Sequence, residues 1–581
     1  MAPGIGIGIG IGAGLKSGGG IDWSSYWTPP SALTLTVVSD TAITLDWTGG
    51  KATSIERSAD GVTYAEIDTV ALGTTTYNDT GLTEATHYWY RVREYSGSNY
   101  SSYSNVADDY TNPTELANAW AIYDFVDADN LTKDGSERVA QVTDLTGNGN
   151  HYLQADDAKK PIHVNGYVLS DGSNDTMATG AKTLDVPITI YTVFEVPTIG
   201  CKEGNLYDGN NLYSCHTIFR GATPSIANVQ FFKGSFLPAT PMAYVRVDNK
   251  TLLTHVVNGA NSLLKISSTA DIIEDAGTGY GNPSGFTLGS LADGSNNCYV
   301  RWYGQIIFAS AHDAATRLKI QNYLTRKYRD TFDAWTVAGQ SNALGQDTVA
   351  NITGLDYKVA IPNGIIFNHN TSSKYETYEP GVNAQTGANK FGVENSFLSN
   401  MVTYKSSRIY VIKYALGSSK LATDAGGDDW NPDNAGECYD DLLVRFTNGF
   451  AELARTINRL RFKGIIWIQG ESDSVLQVDA NAYYANLVDF MESNFVPYLN
   501  SLNVANDIEE TIQKIIVGVA NSGLWTYRDT VIAAQQLYCT NYDGIYIDTA
   551  TYDVKVGDEA HYDSDSLVQM GIDIYDEVKD L

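Results

Sequence analysis

Three patterns of apolar and polar positions follow one another along the chain, and each predicts a different architecture. From 29 to 111, short runs alternate with a period of two: Leu33-Thr34-Leu35-Thr36-Val37, Ala42-Ile43-Thr44-Leu45-Asp46-Trp47, Ser54-Ile55-Glu56-Arg57-Ser58 and Tyr88-Trp89-Tyr90-Arg91-Val92-Arg93. Turn residues such as Asp60-Gly61 separate them, which predicts a small all-β sandwich. From 113 to 332 a larger β-rich region runs from Trp120-Ala121-Ile122-Tyr123-Asp124-Phe125 to Gly304-Gln305-Ile306-Ile307-Phe308. It closes with a helix from Asp313 to Tyr328, where Leu318, Tyr323, Leu324 and Tyr328 recur near helical spacing and Asp313 can cap the start.

From 333 to 581 the pattern changes again. Strand-length apolar runs now alternate with long amphipathic stretches: Trp335-Thr336-Val337-Ala338, Ile409-Tyr410-Val411-Ile412, Ile465-Ile466-Trp467-Ile468, Ile515-Ile516-Val517-Gly518-Val519 and Ile545-Tyr546-Ile547. A helix is predicted around Tyr439 to Leu460, with Leu442, Leu443, Phe446, Phe450, Leu453, Ile457 and Leu460 on one face. The alternation implies an α/β domain with a parallel sheet of five strands covered on both sides. Such sheets place chemistry in the loops beyond the strand C-termini. Residues 1–28 differ from all of this. Glycine alternates with isoleucine from Gly4 to Gly12, which leaves one face without packing groups. Two readings stay open there, a flexible tail and an arm that orders against a docking partner.

Composition narrows the picture. A chain of 581 residues exceeds one hydrophobic core, so several domains are expected. A formal charge of −30 repels nucleic acid and argues against DNA or RNA as partner. The five cysteines, Cys201, Cys215, Cys298, Cys438 and Cys539, form neither a disulfide framework nor a metal-ligand spacing. A Cys201–Cys215 pair and free thiols both remain open. No apolar run reaches the roughly 18 residues of a membrane span. The N-terminus lacks a basic n-region and an apolar h-region, so export through a Sec-type signal is not expected.

The candidate chemistry lies past the predicted strand ends of the last domain. The first strand runs into Gly339-Gln340-Ser341-Asn342-Ala343-Leu344-Gly345. A serine on such a turn exposes its hydroxyl, and its own N–H can face a developing oxyanion. It needs a base, since a free hydroxyl is a poor nucleophile. Two histidines are available after 333, His369 and His561. His561 follows Asp558 by three residues in Gly557-Asp558-Glu559-Ala560-His561, a spacing that brings carboxylate to imidazole in a helical turn or tight loop. His369 has no carboxylate as close. The third strand ends in Gln469-Gly470-Glu471-Ser472-Asp473. There Gln469 could donate to an oxyanion, while Glu471 and Asp473 could organise the loop. Paired carboxylates also serve glycoside hydrolysis, but serine and histidine are already supplied.

Three resemblances rest on these residues. Residues 29–111 resemble a fibronectin type III domain, through Pro29-Pro30, Trp47, Gly81-Leu82 followed by Thr86, and Tyr88-x-Tyr90-x-Val92. Residues 113–332 resemble a concanavalin-A-like (laminin-G-type) jelly roll. That likeness is carried by Val142-Thr143-Asp144-Leu145-Thr146-Gly147-Asn148-Gly149, Gly166-Tyr167-Val168-Leu169-Ser170-Asp171-Gly172, Phe286-Thr287-Leu288-Gly289-Ser290 and Tyr323-Leu324-Thr325-Arg326-Lys327-Tyr328. The resemblance implies glycan binding, sometimes with calcium, against a purely structural sandwich. Gly-Gln-Ser-Asn, Gln-Gly-Glu-Ser-Asp and Asp-x-x-His, in that order, resemble the sialate O-acetylesterase and acetylxylan esterase branch of the SGNH hydrolases. Lys390-Phe391-Gly392-Val393-Glu394 and Ile412-Lys413-Tyr414-Ala415-Leu416-Gly417-Ser418-Ser419 fit two further blocks.

That last resemblance implies a flavodoxin-like fold for the α/β domain and a catalytic triad of Ser341, His561 and Asp558. It implies an oxyanion hole from the N–H groups of Ser341 and Gly392 plus a side-chain donor, for which Gln469 and Asn342 are the candidates. Gly339, Gln340, Gly470, Glu471 and Asp473 form the supporting loops. The chain departs from the branch at Val393, where proline is usual, at Gly417-Ser418-Ser419, where Gly-Gly-Thr is common, and in lacking a Gly-x-Asn block. The implied activity is carbohydrate O-acetyl ester hydrolysis with no metal or organic cofactor. The expected substrate is an acetylated polysaccharide. The domain order, with no export signal, suits a phage tail fibre or tailspike on a virion, with residues 1–28 as docking arm. A homo-oligomer fits that architecture, although no heptad repeat specifies one. The competing readings are a non-catalytic glycan-binding adhesin and a secreted or cell-surface bacterial esterase.

Overall fold

The computed structural model describes residues 28–197, 204–220, 226–232, 235–237, 244–275, 277, 281–354, 356–424, 428–435, 437–505, 508 and 510–581. The proposed docking arm and Cys201 therefore lie outside the described residues. The chain divides into two compact units, Met1–Ala119 with Asp313–Tyr323, and Trp120–His312 with Leu324–Leu581.

In the first unit, period-two runs become strands of two antiparallel sheets. One holds Ser31–Val37, Ala42–Thr48 and Thr76–Thr80; the other is built on Thr53–Ser58 and His87–Ser96. Their inward faces share one core of Ile43, Leu45, Trp47, Ile55, Tyr90 and Val92. The Tyr88 hydroxyl accepts the Thr83 N–H at 3.0 Å and pins the corner before the longest strand. Lys319, from the Ala314–Tyr328 helix, reaches Glu84 at 2.7 Å and Glu115 at 3.0 Å. Asp313 caps that helix by accepting the Thr316 N–H.

The second unit opens with a larger sandwich of two antiparallel sheets. Val139, Val142, Leu206 and Phe286 of one sheet meet Val168, Ile190, Phe194, Leu253 and Trp302 of the other in a single core. The sandwich is joined to the domain that follows by backbone bonds, Ile457 N–H to Lys250 C=O and Ser268 N–H to Ala454 C=O. A buried Arg246–Glu452 ion pair at 3.0 Å joins them as well.

The last domain is built on strands β1 (Thr331–Gly339), β2 (Gly364–Asn368), β3 (Lys374–Thr377), β4 (Ile409–Ala415), β5 (Arg459–Ile468), β6 (Gln513–Val517) and β7 (Ile545–Ile547). They form one sheet in the order β3-β2-β4-β1-β5-β6-β7, parallel throughout except for β3. The five expected strands are all present, and β2 and β3 extend the sheet to seven. Alternate residues of one strand feed opposite cores. Ala334 and Ala338 of β1, with Ile465 and Trp467 of β5, face one side; Trp335, Val337, Ile466 and Ile468 face the other. Both faces are buried, so the runs read as continuous hydrophobic segments.

Helices Glu394–Lys405 and Ser564–Val578 cover one face, and Cys438–Leu453, Gln477–Val488 and Arg528–Tyr542 the other. The expected helix from Tyr439 to Leu460 is corrected by this arrangement. It stops at Leu453, a turn follows, and Leu460 belongs to β5. Cys438 and Cys539 are buried free thiols. Among the described residues no helix is long and apolar enough to cross a membrane.

Candidate active site

Strand β1 ends at Gly339, whose φ is +140° and whose added Cβ would lie 2.0 Å from the Ile468 carbonyl oxygen of β5. Only glycine lets the two central strands close at that point. The chain then turns into helix α1 (Ser341–Leu344), with Ser341 its first residue. Among the described residues, neither the N–H nor the hydroxyl of Ser341 has a hydrogen-bond partner. A helix start leaves such N–H groups open.

The base segment is a short strand, β8 (Asp558–Tyr562), rather than a helical turn. His561 Nδ1 lies 2.8 and 3.0 Å from the two carboxylate oxygens of Asp558. Burial opposes the charge on Asp558. The hydrogen bond and charge of His561, the Ala560 N–H and Lys555 at 3.5 Å outweigh it and hold the carboxyl below its ordinary range. An imidazole bonded this way through Nδ1 has Nε2 left for a hydroxyl. No hydrogen bond joins Ser341 to His561 among the described residues. Catalytic contacts of this kind often tighten only with substrate bound.

Asn342 links the two segments. Its side-chain nitrogen donates to the Ala560 carbonyl at 3.2 Å, and its oxygen accepts the Tyr562 N–H at 3.3 Å. The same nitrogen donates to Glu471 at 2.7 Å. The Gln-Gly-Glu-Ser-Asp loop is tied in from below. The Gln340 side-chain oxygen accepts from Gly470 N–H at 3.4 Å and Ser472 N–H at 3.3 Å. Asp473, fully buried, accepts the Leu421 and Ala422 N–H groups, both at 2.9 Å. The expected supporting residues Gln340, Gly470, Glu471 and Asp473 are thus joined through Gln340, Asn342 and Gln469, with Gly339 packed against Ile468.

The expected oxyanion donors sit differently. Gln469 gives its amide N–H groups to Asp473 at 2.6 Å and to the Ser419 carbonyl at 3.3 Å. Asn342 spends its own on Glu471 and Ala560. The Gly392 N–H faces Glu394 at 3.2 Å, and Glu394 is paired with the equally buried Lys413 at 2.8 Å. In this state, Ser341 alone of the four keeps an open donor. Gly417 was not singled out as a donor from sequence. A Cβ on it would lie 3.8 Å from Ser341 Cβ, and its N–H has no partner among the described residues. His369 is apart from this cluster, with Arg445 and Asp441 as its charged neighbours.

Beside α1 and the end of β4 lies a cavity of about 430 Å³. Its walls include Gln346, Asn370, Gln385, Thr386, Asp441 and Arg445. The Arg445 guanidinium stands 3.9 Å over the Tyr414 ring. Among the described residues, no group of His, Cys, Asp and Glu side chains is placed to hold a metal ion.

Residues 331–579 match a known family, carbohydrate esterase, sialic acid-specific acetylesterase. The match to this carbohydrate esterase family covers the sheet, α1 and β8 together. No curated protein matches the chain. Among solved structures, a protein from Arabidopsis thaliana is similar at 17% identity and a TM-score of 0.33, covering 42% of this chain and 96% of its own. An Fn3-like protein from Clostridium thermocellum is similar at 26% identity and a TM-score of 0.13, covering 14% and 88%. A human fibronectin type III domain is similar at 14% identity and a TM-score of 0.15, covering 17% and 89%.

Proposed function

We propose that the last domain is a serine carbohydrate O-acetylesterase, with Ser341 as nucleophile, His561 as base and Asp558 as the carboxylate that orients it. One observation carries the reading: the residue after Ser341 is hydrogen-bonded to the residues on both sides of His561, and His561 is held by Asp558. Ser341 attacks the ester carbonyl while His561 Nε2 takes its proton. The Ser341 N–H and, in place of the occupied amides, the Gly417 N–H receive the oxyanion. His561 then protonates the departing sugar alkoxide, and water attacks the acetyl-enzyme with His561 again as base. The amide- and hydroxyl-lined cavity beside α1 suits a sugar ring, whose hydroxyls need donors and acceptors of that kind.

Acetate release from a panel of acetylated polysaccharides, with p-nitrophenyl acetate as a simple ester, tests this. Wild type is expected to hydrolyse, and Ser341→Ala to lose at least about 10⁴-fold in kcat. Equal rates for the two would leave a glycan-binding adhesin as the better account. The setting we propose for this activity is a phage virion, where a tail protein with a concanavalin-A-like second sandwich brings the esterase to a host surface polysaccharide. Its support is the order of the two sandwiches and the esterase domain. Mass spectrometry of purified particles against bacterial envelope fractions separates this from a bacterial surface enzyme.

A further inference from the structure

Asn342 does more than sit beside the nucleophile. It binds the carbonyl of Ala560 and the N–H of Tyr562, the two backbone groups that bracket His561 on one edge of β8. In a parallel sheet, the N–H and C=O of one residue of a neighbouring strand would fill that place. Here a side-chain amide fills it. A primary amide can be inserted in either of two orientations, and only one gives a donor to Ala560 and an acceptor to Tyr562.

Glu471 selects that orientation. Its Oε1 accepts from Asn342 Nδ2 at 2.7 Å, and this is the one side-chain hydrogen bond the carboxyl makes among the described residues. Glu471 is 1% exposed. Burial raises the Glu471 carboxyl above its ordinary range, and in either protonation state its Oε1 can accept, so the Asn342 nitrogen faces it and the oxygen faces Tyr562. A buried carboxyl is a costly way to supply one acceptor. Its position matters too: Glu471 stands on the β5 loop that Gln340 holds, so it is fixed to the same frame as Ser341.

We infer that Glu471 is a positioning residue of this enzyme, which acts through the Asn342 amide to hold the His561-bearing strand in register with Ser341. Its catalytic consequence rests on the esterase reading; the geometric coupling does not.

The test compares wild type with Glu471→Gln, Glu471→Leu, Asn342→Ala and the double variant Asn342→Ala/Glu471→Leu. Steady-state kinetics on p-nitrophenyl acetate are read beside hydrogen–deuterium exchange of the peptide spanning 558–563. A misplaced base costs on the order of 10²-fold, so Glu471→Leu is expected to lower kcat roughly 30- to 100-fold with KM within about twofold. Glu471→Gln keeps an acceptor for Asn342 and is expected to retain kcat within about fivefold. The double variant is expected to be no worse than Asn342→Ala alone, since both remove one device. Exchange in 558–563 is expected to quicken in Glu471→Leu and Asn342→Ala.

Wild-type kcat in Glu471→Leu, additive losses in the double variant, or unchanged exchange in 558–563 would each overturn the inference. Failure of Glu471→Leu to fold leaves Asn342→Ala and Glu471→Gln to decide by the same readouts. A wild type that cleaves no ester overturns the esterase reading instead, and the exchange data then decide the coupling by themselves.

Discussion

His561 Nδ1 meets both carboxylate oxygens of Asp558, at 2.8 and 3.0 Å, although only two residues separate them in the chain. Residues three apart on a regular strand face opposite sides, but the pairing of β8 with Val554–Lys555 jumps from Asp558 to Tyr562, and that irregularity lets His561 fold back over Asp558. The contact fixes the proton on Nδ1 and leaves Nε2 as acceptor. Asp558→Asn keeps the size of the side chain but can present an amide N–H to Nδ1, which favours the other tautomer. The expected result is a loss of roughly 10³- to 10⁴-fold in kcat with an unchanged melting temperature, by analogy with other triads. Kinetics paired with thermal melts check it; a loss under tenfold would place the carboxylate outside the catalytic chain.

Gly417 offers a second test. Its missing side chain leaves room directly over the nucleophile, and an alanine Cβ would stand at ordinary contact distance, 3.8 Å, from Ser341 Cβ. The backbone should therefore tolerate Gly417→Ala while the ester loses its space. We expect kcat/KM to fall at least tenfold, about 1.4 kcal/mol in transition-state binding, with stability near wild type. An alanine variant as active as wild type would move the acyl group elsewhere.

Much of the fold could be read from the chain because its central strands are buried on both faces. Trp335-Thr336-Val337-Ala338 and Ile465-Ile466-Trp467-Ile468 are apolar at consecutive positions for that reason, and they form β1 and β5. Strands β2 and β3 escaped notice because they are short and lie toward one edge, where polar residues such as Asn368, Lys374 and Glu376 are at home. The helix ending at Leu453 was overextended because Ile457 and Leu460 happen to continue its spacing across a turn. The contact of Asp558 with His561 was legible because it rests on a local three-residue spacing. The oxyanion donors were not. Which backbone N–H faces Ser341, and whether the Gln469 and Asn342 amides are already spent, depends on partners such as Ser419 and Ala560 that only the folded sheet brings near.

The Lys413–Glu394 pair makes the domain's stability depend on two buried charges. Both side chains are wholly buried at 2.8 Å, and Lys413 also donates to the Leu344 carbonyl at the end of α1. Removing one partner strands a charge in a low-dielectric site, which costs about 3–5 kcal/mol. Lys413→Met is therefore expected to lower stability by that amount in urea titration. The double variant Lys413→Met/Glu394→Gln is expected to recover part of it, since no unpaired charge remains. A single variant as stable as wild type would show that the pair is not buried in solution.

Asp473 ties loop stability to pH. Burial pushes its carboxyl from an ordinary value near 3.8 up to about 6, despite hydrogen bonds from Leu421, Gln469 and Ala422 that favour the charged form. The folded state therefore holds this proton over a range where the unfolded chain has released it. Stability falls as pH rises wherever the native state binds more protons. The contribution is thus present below pH 4 and declines as pH climbs through about 6, where it is spent. The full span corresponds to about 3 kcal/mol. Other carboxyl groups titrate in the same range, so the informative quantity is a difference. Between pH 4 and 7.5, wild type is expected to lose more stability than Asp473→Asn, which has no proton to release, by up to that amount. Parallel stability profiles for the two proteins would mean that Asp473 titrates near its ordinary value and that water reaches the Gln469–Asp473 loop.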